Sequence, residues 1–141
     1  MSIIENTIQF IEENNTKVIF KENLNGIEAF SLFINDTEDK AIVIEEDPVR
    51  TAARTNTILL HELSHLECPK SMYDFDTSIN ARKRRENKVN NYMIRKFIPV
   101  EVIKKLLLKE LRPFEIAEEL SIEEQTIKEA ILLYKELGLL D

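Results

Sequence analysis

The chain contains two histidines, His61 and His65, and both fall in one stretch, TNTILLHELSHLECP, residues 55–69. Residues four apart on a helix share one face, about one turn from each other. Two imidazoles so placed can grip a single cation, and neutral imidazole is a good zinc ligand at about 2 Å. Glu62 points roughly 100° around the helix from His61. It therefore stays out of the ligand set and instead reaches a water held on the metal, whose proton it can take. Two ligands and a general base on one helix is the mechanical content of H-E-x-x-H. The apolar neighbours Ile58, Leu59, Leu60, Leu63 and Leu66 predict a largely buried helix, and burial strengthens a metal's effect on its water. Two core-edge histidines beside a surface glutamate would be the bland alternative. The ligand spacing, the base in register and the apolar helix together favour the metal.

A catalytic zinc site usually takes three protein ligands plus water. With no third histidine, the remaining ligand is Asp, Glu or Cys. Glu86 is the best placed of these, 21 residues after His65 and early in the next predicted helix. Cys68 competes, because thiolate binds zinc well, although a cysteine at a helix end reads more readily as a small buried side chain. Asp74 and Asp76 read as turn residues. Asn90, four residues after Glu86, falls on Glu86's face. It is either an acceptor for the second ring N–H of His61 or an ordinary exposed residue. Tyr73 is a candidate donor to a developing oxyanion.

These residues need elements to hold them. Residues 2–13 carry Ile3, Ile4, Ile8 and Ile11 at helical spacing and predict a short amphipathic helix. TKVIF (16–20), IEAFSLFI (27–34) and KAIVIEE (40–46) are β-branched and aromatic, separated by turn-like ENLNG and NDTED. They predict a small antiparallel meander. Asp47-Pro48 predicts a helix start, and Pro69 ends that helix near Glu67. Residues 68–78 read as a loop, and a long helix is expected from Ile79 to Phe97, stopped by Pro99. A short helical segment over 100–111 follows, then PFEIAEEL (113–120). The last helix is expected to be capped by Ser121 with Glu124 three residues on and ended by Gly138. The order predicts an α+β domain with a helical C-terminal half: a single domain over 1–141, with a core in 1–100 and a helical subdomain in 101–141.

The totals bound the class. The 141 residues, 43% hydrophobic and 32% charged, suit one soluble globular domain. No apolar run approaches a membrane span. The acidic start does not read as a signal peptide, and the single Cys68 fits a reducing compartment, so a cytoplasmic protein is expected. The net charge of −7 is unevenly spread. Residues 1–50 carry four basic and eleven acidic side chains, while residues 82–96 carry seven basic ones against Glu86 alone. An acidic protein with one basic segment is a poor general nucleic-acid binder. The basic segment reads first as a solvated face, then as a dock for an acidic substrate segment, and least as a DNA contact. It also keeps Glu86 ionised, as a ligand must be.

HELSHLE followed by ENKVNNYMIRKFIP resembles the ImmA/IrrE-type zinc metallopeptidases of phages, prophages and mobile elements. In that family the histidine motif precedes a helix of the form E-x-x-A-[DN]-x-[FY]-A that closes in a Leu/Ile/Met-Pro pair. Glu86, Val89, Asn90, Tyr92, Met93, Ile98 and Pro99 fall on those positions, and the likeness runs over about residues 40–100. Ser64 stands where glycine is usual, Val89 replaces alanine, and Asn90 stands where aspartate is frequent. The resemblance implies a zincin-like core and one zinc per chain. It implies His61, His65 and Glu86 as ligands, with Glu62 as general base on zinc-bound water. It further implies site-specific cleavage of a helix-turn-helix repressor, a protein substrate, in transcription regulation.

The tail, FEIAEELSIEEQTIKEAILLYKEL (114–137), looks like a helix-turn-helix, but Glu123, Glu124, Gln125 and Glu129 on its second helix would repel phosphate. A helix pair that packs on the core or grips a protein is the preferred reading. The rival function is a non-catalytic regulator that binds a repressor with the same fold. The intact Glu62 favours the enzyme, because a purely structural site has no use for a base.

Overall fold

The computed structural model describes residues 2–34, 37–68 and 78–141. Among the described residues it is α+β: six helices and one three-stranded sheet. By its internal contacts the chain divides into two compact units, Met1–Glu67 and Cys68–Asp141. No helix among the described residues is long and apolar enough to cross a membrane.

The first unit opens with α1 (Ile3–Glu12), closed at its start by a capping box in which Ser2 Oγ accepts from the Glu5 N–H and Glu5 accepts from the Ser2 N–H. Strands β1 (Thr16–Lys21), β2 (Ala29–Phe33) and β3 (Lys40–Glu45) follow. They do not form the expected meander. The order is β1-β3-β2, with β1 parallel and β2 antiparallel to β3. The reason is burial. Ala41, Ile42, Val43 and Ile44 are all buried, so β3 is apolar towards both faces and takes the centre. β1, which carries Lys17 and Lys21, and β2, whose Phe30 and Leu32 are exposed, are left as the edges. The register sets Ile19, Val43 and Phe30 side by side across the sheet.

Helix α2 (Ala52–Glu67) packs on β2, β3 and α1. It starts later than Asp47-Pro48 suggested. Asp47 makes a turn of its own, its Oδ1 accepting from the Val49 N–H at 3.0 Å and its carbonyl from the Arg50 N–H at 3.2 Å. Thr51 then caps the helix, its Oγ1 accepting from the Arg54 N–H at 3.1 Å. Arg50 and Arg54 both engage Glu28 just ahead of β2, and the Arg50 Nη1 donates to the Glu45 carbonyl at 2.8 Å. The start of α2 is thereby tied to the ends of β2 and β3.

The second unit contains α3 (Ile79–Phe97), α4 (Val100–Leu108), α5 (Pro113–Leu120) and α6 (Glu124–Glu136). Ser78 caps α3 through the Ala81 N–H, and Pro99 follows its end, as its sequence implied. The α5–α6 junction differs from expectation. Ser121 does not cap α6. It takes the left-handed conformation at φ 50° and closes α5, with the Ile122 N–H returning to the Ala117 carbonyl at 3.1 Å. Burial of Ile122 holds this turn in place, and α6 begins from Glu123 without a side-chain cap. Gly138 ends α6 at φ 74°, as expected. Within this unit α6 packs on α5 and on α3.

Candidate metal centre

The histidines sit in the last two turns of a helix that is buried on most of its circumference. Thr55, Asn56, Thr57, Ile58, Leu59, Leu60, Leu63, Ser64 and Leu66 are all buried. Its polar members are satisfied within the first unit: Asn56 Oδ1 accepts from Thr7 Oγ1, and Thr57 Oγ1 donates to the Ala53 carbonyl at 2.8 Å. Ser64 is fully buried, and its hydroxyl donates to the Leu60 carbonyl at 2.7 Å. The buried hydroxyl is thus accommodated because the helix itself supplies its partner.

His61, Glu62 and His65 are half-buried, on the part of α2 that the core leaves partly open. The two imidazole rings stand edge-on, with centroids 4.8 Å apart and planes at 80°. This is the i, i+4 geometry that the spacing called for. In the second unit Glu86 lies in the second turn of α3, exposed, between the buried Ala81 and Val89. Among the described residues, one nitrogen of His61, one of His65 and one carboxylate oxygen of Glu86 lie within 4.8 Å of one another, a group that could hold a metal ion. Two imidazole nitrogens and one glutamate oxygen are a donor set found in hydrolytic zinc sites.

The remaining candidates fall elsewhere. Cys68 is a buried cysteine and is not part of that group. Asn90 is half-buried, and its Nδ2 donates to Glu129 Oε2 on α6 at 2.9 Å. Tyr73, Asp74 and Asp76 lie outside the described residues.

Two residues brace α3 in a way the sequence analysis did not assign to them. Glu129 is the partner of Asn90. Tyr134, 2% exposed, donates its hydroxyl to the carbonyls of Ile98 at 2.8 Å and Ile94 at 3.3 Å, satisfying acceptors at the end of α3. A tyrosine on an otherwise apolar helix face was the one available signal, since a buried phenol needs a partner. Burial also pushes its pKa above the ordinary value.

No family model, curated protein or solved structure matches the chain.

Proposed function

We propose that this chain is a zinc-dependent endopeptidase with a zincin-like core, which cleaves a specific bond in a helix-turn-helix repressor and so acts in transcription regulation. The observation that carries the reading is the grouping of His61, His65 and Glu86 within 4.8 Å, with Glu62 next to the first histidine on the same helix. The donor set suits zinc by its chemistry. The resemblance to ImmA/IrrE-type peptidases supplies the substrate class, and residue chemistry supplies only metal-assisted hydrolysis.

In this reading His61, His65 and Glu86 hold one zinc per chain. When bound, zinc supplies Lewis acidity, polarising the scissile carbonyl and acidifying the attacking water. Glu62 takes that water's proton, then delivers it to the leaving amine as the peptide bond breaks. Its half-buried position leaves it open to a substrate. The buried helix behind it fixes the direction from which it acts. A non-catalytic regulator would have no such demand on Glu62.

The test is the metal content of the purified protein beside His61→Ala and Glu86→Ala. One zinc per chain in the wild type, lost in both variants, is the expected result. A wild type that takes up no stoichiometric zinc after dialysis against it overturns the enzyme and leaves a repressor-binding module.

A further inference from the structure

Helix α3 carries an excess of positive charge that its own fold does not use. Arg82, Lys83, Arg84 and Lys88 are all exposed in its first half. None of the four is in an ion pair among the described residues. There is no acid in the first turn of the helix, where negative charge would be favoured and positive charge is not. Of the four, only Arg82 falls in that turn, where a cation costs the helix a few tenths of a kcal/mol. At 100° per residue, Arg82 and Lys83 lie on the face of Glu86, one turn before it, while Arg84 and Lys88 continue round the helix. The chain as a whole is strongly acidic, so four unpaired cations beside a candidate ligand call for a partner.

We propose that Arg82, Lys83, Arg84 and Lys88 form a docking surface for an acidic segment of the protein substrate. The inference rests on the peptidase reading for the word substrate, and on the charge of α3 for the surface itself. Charge complementarity selects the occupant. Guanidinium forks match carboxylates in geometry as well as sign. A nucleic-acid duplex, with one charge per about 1.7 Å of axis, would also meet the rest of a chain of net charge −7. Residues 1–67 alone carry thirteen acidic side chains against five basic. A short carboxylate-rich peptide needs only the segment it binds, and residues 82–96 carry seven basic side chains against Glu86 alone. Arg82 and Lys83 then hold the segment on the side of the helix from which Glu86 projects, and so select which stretch of a substrate is presented.

The experiment uses the full chain, a fluorescein-labelled twelve-residue oligoglutamate peptide and a labelled 20-base-pair duplex, followed by fluorescence anisotropy at low and raised salt. The variant carries Arg82→Gln, Lys83→Gln, Arg84→Gln and Lys88→Gln. A control carries Lys104→Gln and Lys105→Gln, two exposed cations of α4. The peptide is expected to bind the wild type and the control within about twofold of each other, to bind the quadruple variant at least tenfold more weakly, and to be released by salt. Equal binding to all three proteins, or none to the wild type, overturns the proposal. Tighter binding of the duplex than of the peptide overturns it in favour of a nucleic-acid contact. Zinc content measured on the same samples separates the two readings, since the quadruple variant retains the three ligands. A wild type that binds the peptide through α3 but holds no zinc keeps the surface and loses the peptidase.

Discussion

The side-chain amide of Asn90 donates to Glu129 Oε2 at 2.9 Å, so the helix that carries Glu86 is tied to the last helix of the chain. Glu129 also accepts from Gln125 at 3.4 Å, one turn earlier on α6. The partly buried bond to a charged acceptor is worth about 1–2 kcal/mol. Asn90→Ala is expected to lower unfolding stability by that amount in a urea titration while retaining one zinc per chain. Loss of zinc instead would show that Asn90 does more than brace α3.

Glu62→Gln tests the chemistry apart from the metal. The amide keeps the shape of the side chain and cannot take a proton. Zinc content is expected to stay at one per chain, and cleavage of a repressor substrate to fall at least about 100-fold, the usual scale of a lost general base. The check is zinc analysis and a cleavage assay on one preparation.

Tyr134→Phe deletes a hydroxyl that serves two carbonyls at the end of α3. The expected cost is about 1–2 kcal/mol, measured by chemical denaturation. The same residue gives a pH signature. Its pKa is raised above about 10 by burial, so the folded chain holds the phenolic proton more tightly than the unfolded one. Its contribution is complete below about pH 10 and is lost as pH rises through the higher folded value. The alkaline decline in stability is therefore expected to be shallower in Tyr134→Phe than in the wild type.

Glu115 behaves in the opposite sense. Its carboxylate accepts from the Arg112 backbone N–H at 3.0 Å and from Arg112 Nε at 3.2 Å, and these bonds hold its pKa below the ordinary value. The contribution is present above the unfolded value and disappears as pH falls through the lower folded one. An NMR titration is expected to give Glu115 a midpoint below those of free glutamates. Arg112→Ala is expected to move it upward.

Glu28→Ala removes the carboxylate shared by Arg50 and Arg54. The Arg50 side chain is only 5% exposed, while Glu28 is about 40% exposed, so solvent screens part of the interaction. A loss of about 1–2 kcal/mol is expected in thermal or urea unfolding.

What was legible in the sequence was what neighbouring residues decide. The His61 and His65 spacing survives as stacked turns of α2, and Pro99 follows the end of α3, because each depends on a few adjacent positions. The strand segments were recognisable, but not their pairing. Nothing within TKVIF or AFSLF says that each will lie beside β3 rather than beside the other. That follows from Ile42, Val43 and Ile44 demanding cover on both faces. Asp47 and Ser121 were misread for a shared reason: short polar side chains serve turns and left-handed caps as readily as helix starts. Glu129, 39 residues from Asn90, carried no local mark of its partner.

The central position of β3 also orders events in time. β1 and β2 come first in the chain, yet neither pairs with the other, so both wait for residues 40–45. A nascent chain cut short before Lys40 holds two unpartnered strands, and their exposed backbones are the natural prey of chaperones and of one another. Six residues later in synthesis the sheet can close around β3. Only after that does the ribosome deliver the helix bearing His61 and His65, onto a surface already built to receive it.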